Sequence, residues 1–254
     1  NRPYRPTYGI VIAPDPVTGR ATITDIPDFQ GRGGTHVRGE SSAGFGQKQY
    51  SWELWNDDDN DKAASLLGMP AESDWILYAP WSEKTLMRDV LVFSTMRKLR
   101  SNDYMAARTK HCEVFFNQSG GTVLSYSSAY KGIYVLKEKL KIDSNRVNVA
   151  KLNKLTTQSP AVSGGYIIRK DKVDTEKTTW TTNPFGIELQ SFDPDQLNSA
   201  QLSYIRSYID AFGTVLNGSN FTHPTAGYAA YIDTDTFIDA QWFAEWTKQV
   251  DGYV

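Results

Sequence analysis

Cysteine and histidine are too scarce in this chain to support most thiol or metal sites. Its 254 residues include one cysteine, Cys112, and three histidines. A lone cysteine excludes an internal disulfide framework and any cysteine-rich zinc site. The histidines are widely separated and lack metal-ligand spacing, so we expect each of them to be structural or exposed. Cys112 lies in the apolar run HCEVFF, which predicts a small buried hydrophobe and not a nucleophile.

Long apolar runs and an excess of basic charge are also absent. No run approaches the length of about 18 residues that a membrane-spanning helix needs. The formal net charge of −2 argues against a general nucleic-acid or membrane-surface binder, because both need an excess of lysine and arginine. Three N-x-[ST] triplets, at Asn117, Asn217 and Asn220, are a weak indication of a secreted protein.

The common catalytic and binding motifs are missing as well. The chain contains no GxSxG elbow, no P-loop and no GxGxxG fingerprint. The aspartates of NDDDNDK resemble a calcium loop, but Lys62 and Gly68 stand where its glycine and glutamate are needed, which favours a solvated turn. Carboxylates are abundant, yet a sequence alone does not place two of them at the separation that a glycosidase requires.

The first part of the chain reads as β-rich. Residues 36–54 predict a β-hairpin, because Tyr50, Trp52 and Leu54 alternate with polar residues at a period of two. Residues 74–80 predict a buried strand, and the segments HCEVFF and YKGIYVLKEKL predict a further antiparallel pair.

One helix is expected inside this β-rich part, and a short strand follows it later in the chain. Ser82 is a candidate N-cap, and the residues on helical spacing after it are Leu86, Val90, Phe93 and Arg97. Residues 164–172 predict the strand.

Beyond residue 195 the pattern becomes helical. One amphipathic helix is predicted by an apolar stripe that consists of Leu202, Ile205, Ile209, Phe212 and Leu216. A second helix is expected from near Asp235, and we expect it to bury Phe237, Ile238, Trp242, Phe243 and Trp246. A mostly β part followed by a mostly α part predicts an α+β protein with two lobes.

A glycine-containing loop joins the two strands of the predicted hairpin. In RGESSAGFGQKQYSWELW, Gly39 and its neighbouring glycines allow close approach of backbone to an anion, and Ser41 and Ser42 add hydrogen-bond donors. Arg38 and Lys48 flank the loop, so both cations can converge on one polyphosphate. On the residues alone, a plain hairpin turn remains the alternative.

Several segments together resemble the CotH family, which is named for spore-coat proteins. In chain order they are RGESSAGFGQKQYSWELW, LLGMPAESDWILYAPWSEKTLMRDVL, GIYVLKEKLKIDSNRVNV, SGGYIIRKD and DTDTFIDAQWFAEWTKQVDGY. The resemblance extends from about residue 30 to the end of the chain, and the ordered set is more specific than any one segment. It implies an atypical protein-kinase-like fold, with an N-terminal segment at 1–30, a β-rich first lobe at 31–142, and a connection with part of a helical second lobe at 143–254.

The resemblance also implies roles for individual residues. The loop from Arg38 to Lys48 would cover a nucleotide, with Gly39, Ser41 and Ser42 in the loop and Lys48 the best match for a phosphate-binding lysine. Glu138 would lie on the strand that leads to the adenine-binding hinge. Arg88 matches an arginine of the first-lobe helix and has a structural or a site role. Asp251 matches the aspartate that begins the catalytic loop and accepts or orients the substrate hydroxyl.

The family pattern continues beyond this chain. A metal-binding Asn and the aspartate of a W-D-[FY] segment would follow Asp251, whereas the sequence stops at Val254. We therefore expect no metal-binding residue within the chain and little activity from this piece, which we expect to belong to a longer parent.

The resemblance implies ATP with Mg²⁺ or Mn²⁺ as cofactors. The expected acceptor is Ser or Thr of a secreted or coat protein, at the cell or spore surface, with no nucleic-acid partner and no membrane span. The alternative is a kinase-shaped surface module that binds a protein or a glycan without catalysis, motivated by the sequons and by the aromatic content of 13%.

Overall fold

The computed structural model describes residues 3–99, 106–118 and 120–249. The chain divides into two compact units, Asn1–Leu140 and Lys141–Val254. The first unit is a sheet with helices inserted between its strands, and the second has three short strands followed by two longer helices. The predicted α+β fold is confirmed.

The first unit is built on a six-stranded antiparallel sheet. Its elements are β1 (Arg5–Val11), β2 (Phe29–Arg38), β3 (Gln49–Leu54), β4 (Asp74–Tyr78), α1 (Arg88–Leu99), β5 (Thr109–Phe115), α2 (Tyr126–Ala129) and β6 (Tyr130–Glu138). The strand order is β1-β2-β3-β4-β6-β5. The predicted hairpin is confirmed, because Val37 of β2 pairs with Tyr50 of β3. The predicted second pair is also confirmed, in the antiparallel pairing of β5 with β6.

The two faces of this sheet differ in what packs against them. Successive side chains of a strand point to opposite faces, and one face carries the hydrophobic core. That core is formed by Phe29, Trp52, Leu54, Leu66, Met69, Trp75, Leu77, Ala79, Val114, Tyr134 and Leu136. Lys137 lies on the opposite face, where its Nζ is 5.1 Å from the centre of the Phe93 ring of α1. The helix therefore packs on the face that does not carry the core.

Helix α1 begins five residues later than predicted, because an N-cap at Ser82 would make Glu83 the first helical residue and the helix starts at Arg88. Leu86 has a φ of 60°, in the left-handed region, so it cannot belong to a right-handed helix. The residues before α1 form a turn in which the Glu83 carboxylate accepts hydrogen bonds from the backbone N–H groups of Thr85, Met87 and Arg88. Helical spacing in the sequence did not reveal this turn.

The second unit contains a small sheet and two helices. Its elements are β7 (Ile167–Arg169), β8 (Thr179–Thr181), β9 (Glu188–Asp193), α3 (Ser199–Leu216) and α4 (Thr234–Thr247), with the strands in the order β7-β9-β8. Strand β7 covers three residues of the predicted strand at 164–172. None of the helices in the described ranges is both long enough and apolar enough to cross a bilayer.

Both predicted C-terminal helices are present, and their first turns explain where they begin. Asn198 and Gln201 form a reciprocal capping box at the start of α3. Asp233 caps α4 by accepting a hydrogen bond from the Thr236 N–H at 2.8 Å.

The predicted burial of α4 is wrong. Phe237, Ile238, Trp242 and Trp246 are all exposed, with 69% of Trp242 accessible. Phe243 is half-buried, and the buried residue of this helix is Ala244. Apolar spacing identifies which side chains share one side of a helix, but it does not supply the surface against which that side packs.

Cys112 provides a direct test of the packing in the first unit. Its side chain packs against the core, and burial raises the pKa of the thiol to about 11. Because the thiolate is the reactive form, we expect native protein at about pH 8 to react with an aromatic disulfide reagent roughly 100-fold more slowly than unfolded protein. The chain has no other cysteine, so thiol titration reports this residue alone. Equal rates with and without denaturant would contradict the packing.

Candidate functional site

The glycine loop, residues 39–48, joins β2 to β3 and has a defined conformation. Ser41–Gly44 forms a single 3-10 turn, closed by a hydrogen bond from the Phe45 N–H to the Ser42 carbonyl at 3.1 Å. Gly39 precedes it with a φ of 92°. A Cβ at Gly39 would clash with the Ser42 hydroxyl oxygen. Glycine is therefore required at this position for both conformation and space.

Two polar side chains near the end of the loop are used to fix its shape. The Lys48 ammonium donates to the Ala43 carbonyl at 2.7 Å. The Gln47 amide donates to the carbonyls of Lys131 and Ile133, at 3.1 and 2.9 Å, and so ties the loop to β6. Lys48 has two further donors beyond the one directed at Ala43. Its role as a phosphate contact stays a prediction.

A partly buried ion pair lies on the sheet face next to α1. The Lys137 ammonium of β6 lies 3.0 and 3.2 Å from the two carboxylate oxygens of Asp89, in the first turn of α1. The two side chains are only 14% and 17% exposed. The same ammonium lies 4.4 Å from the centre of the Tyr78 ring. A lysine held between aromatic rings and a helix-borne carboxylate has a fixed position and one remaining N–H for a ligand.

Arg38 belongs to the same electrostatic group. Burial lowers the pKa of Lys137, and the charge of Asp89 opposes that shift, while the positive charge of Arg38 lowers the pKa further. Burial also lowers the pKa of the Arg38 guanidinium, with Tyr4 and Asp89 acting in the opposite direction. We call Arg38, Asp89 and Lys137 the basic cluster. Two cations against one carboxylate, all partly withdrawn from water, form a setting suited to an anion.

Glu138 and Arg88 lie in contrasting surroundings. Glu138 is fully buried, and its two carboxylate oxygens lie 2.9 and 3.2 Å from a guanidinium nitrogen of Arg108, whose backbone N–H also donates to it. Arg88 at the start of α1 is 79% exposed and lies 3.7 Å from Glu83. The described contacts of both residues are to other protein groups, and their roles in nucleotide binding stay predictions.

Asp251, the predicted catalytic residue, lies outside the described residues. Within residues 3–99, 106–118 and 120–249, histidine, cysteine, aspartate and glutamate form no group of three or more that could hold a metal ion.

The structure brings Arg38 and the loop residues Gly39, Ser41, Ser42 and Lys48 to one end of the hairpin.

Comparison with known families decides the classification. The family model described as CotH kinase protein matches residues 35–254. The chain belongs to the CotH kinase family. No individual curated protein matches the chain. The α+β fold is compatible with a kinase-like fold, and the match covers the glycine loop and the whole basic cluster, whereas β1 precedes it.

Sequence reasoning missed Lys137 and Asp89. Lys137 interrupts an apolar pattern, because it follows Ile133 and Val135 at a period of two, whereas Asp89 lies next to the apolar stripe of the predicted helix and does not interrupt it. A charge in such a position is a usable signal, because burying it is costly unless a partner is present. The partner itself is 48 positions away along the chain.

The conformation of the glycine loop can be tested with two alanine substitutions. We expect Gly39→Ala to lower the free energy of unfolding by about 1–2 kcal/mol, because alanine is strained at positive φ and its Cβ meets Ser42. Gly44→Ala is the matched control, since a Cβ there has nothing within 4 Å. Urea denaturation measures both. Equal effects of the two substitutions would show that the loop does not adopt this turn.

The Glu138–Arg108 pair gives a second stability test. Glu138→Gln keeps the size of the side chain but leaves the Arg108 charge partly buried without its counter-ion, so we expect a loss of roughly 3 kcal/mol. Arg88→Ala removes an exposed ion-pair partner and is expected to leave the unfolding midpoint within measurement error. Denaturant unfolding of both variants distinguishes the two environments. A Glu138→Gln protein as stable as the parent would contradict the buried pairing.

Proposed function

We propose that this chain is the ATP-binding portion of a CotH-type protein kinase that transfers the γ-phosphate to Ser or Thr of a secreted or coat protein. Family membership supports the class of activity. The observation that carries the proposal is the Lys137–Asp89 pair, at 3.0 Å, on the sheet face beside α1. Protein kinases rely on a strand lysine paired with a helix carboxylate to hold nucleotide phosphates.

The residues of the cluster and loop fit a polyphosphate. Lys137 has a donor left after its contacts with Asp89, and the Arg38 guanidinium offers five N–H groups in a planar fork that matches phosphate oxygens. The serine hydroxyls of Ser41 and Ser42 and the Lys48 ammonium are the proposed additional donors from the loop. Gly39 keeps the backbone free of a Cβ where the loop turns.

ATP and the metal fit the described residues to different extents. The cationic donors suit the phosphates of ATP, whereas the described residues contain no group of three or more His, Cys, Asp or Glu side chains that could hold Mg²⁺ or Mn²⁺. We propose that Asp251 accepts or orients the acceptor hydroxyl, as the resemblance implies. The adenine would lie beyond β6, where Glu138 ends the strand.

Nucleotide titration of the full chain tests the phosphate site. We expect Lys137→Met to weaken ATP binding about tenfold or more, because it removes a charge-assisted hydrogen bond. Lys139→Met is the matched control, since Lys139 also lies 3.0 Å from an aspartate, Asp74, but is 45% exposed. Calorimetry should show binding by the control within about twofold of the parent. Equal loss in both variants would count against Lys137 as the phosphate ligand.

Incubation with labelled ATP and divalent metal then separates catalysis from binding. Transfer that is lost in Asp251→Asn supports the kinase proposal. ATP binding without transfer by the longest available form of the protein would instead favour the non-catalytic surface module. A thermal-shift panel of glycans compared with ATP identifies that second case, since a ligand that binds only the native state raises the melting temperature.

A further inference from the structure

We propose that His111 is a positioning residue for the Lys137–Asp89 pair, because it fastens the turn that begins α1 to strand β5. The proposal deepens the proposed function and rests on it for its catalytic meaning. The geometry itself is independent of nucleotide. His111 Nε2 lies 2.7 Å from the Leu86 carbonyl oxygen, three residues before Asp89.

The chemistry of this hydrogen bond fixes its direction. A carbonyl oxygen only accepts, so the Nε2 of His111 carries the proton and donates. The bond therefore survives in both the neutral ring with Nε2–H and the doubly protonated ring. His111 can hold the Leu86 carbonyl irrespective of its own charge.

The residue that His111 holds is in an unusual conformation. Leu86 has a φ of 60°, and a leucine in the left-handed region persists only where surrounding contacts determine it. Glu83 provides local contacts by accepting the N–H groups of Thr85 and Met87, at 2.6 and 2.9 Å. Those bonds close the turn on itself. The bond from His111 connects the turn to the sheet.

Sheet register places His111 and Lys137 on the same face. Lys137 pairs with Thr109 across the β5–β6 ladder, and His111 lies two residues further along β5. Side chains two residues apart on a strand point to the same side. Lys137 of β6 and His111 of β5 therefore both contact the segment that presents Asp89.

The far end of α1 has a separate attachment. There, the Arg97 guanidinium donates to the Ala106 carbonyl at 3.0 Å. Loss of the His111 contact would thus release the start of the helix, where Asp89 lies, while the other end stays attached. The expected result is a Lys137–Asp89 pair that forms less of the time.

Chemical reactivity of Lys137 tests the inference without ATP. We expect His111→Ala to raise the rate of acylation of Lys137 about tenfold, as Asp89→Asn should, because losing the carboxylate lowers the pKa of the amine and frees it. His111→Gln should restore the parent rate, since the glutamine amide can donate from nearly the same position. Peptide mass spectrometry measures each lysine, and Lys139 is the internal control that should not change.

Two results would overturn the positioning role. One is an unchanged Lys137 rate in His111→Ala, and the other is a raised rate that His111→Gln fails to restore. Circular dichroism of each variant verifies that the fold is retained.

An ATP-binding arm links the inference to function. His111→Ala should weaken ATP binding about three- to tenfold, with His111→Gln close to the parent. If Lys137→Met leaves ATP affinity unchanged, the proposed function fails while the reactivity result still decides the role of His111. If Lys137→Met weakens binding and His111→Ala does not, the positioning role fails and the proposed function stands.

Discussion

The candidate site of the first unit is arranged around the ion pair between Lys137 and Asp89. It joins the β6 strand to α1 and is shielded by the Tyr78 and Phe93 rings. Removing two charges from water is expensive, so a pair of this kind is weak evidence for stability. A partly buried lysine beside a second cation is the setting in which we propose that a negatively charged ligand binds.

The surrounding structure can be understood as support for that pair. One face of the sheet carries the apolar core, which leaves the opposite face available for charged side chains and for α1. The glycine loop joins the strands at one end of this face and is tied to β6 through Gln47. The three side chains of the basic cluster thus come from two strands and a helix that are far apart in the sequence.

The distance along the chain over which each interaction acts explains which features the sequence predicted and which it missed. The hairpin and α3 depend on local periodicity, so the spacing of apolar residues sufficed to predict them. The start of α1 depends on a leucine in a left-handed conformation with contacts to Glu83 and His111, and helical spacing does not report φ. Lys137 and Asp89 find each other only after the sheet has formed, and the exposed aromatics of α4 show that spacing alone does not establish burial.

Strand β1 has a consequence for the whole sheet. It pairs along all seven of its residues with β2 and lies outside the range of the family match. Residues 29–35 of β2 are thereby paired on their outer side, and the strand that leads into the glycine loop is an interior strand of the sheet. An uncovered β2 would offer a row of free N–H and C=O groups to any other extended chain. With β1 in place, the edge strand of the sheet is β1, and the backbone groups open to another extended chain lie one strand away from the strand that leads into the candidate nucleotide site.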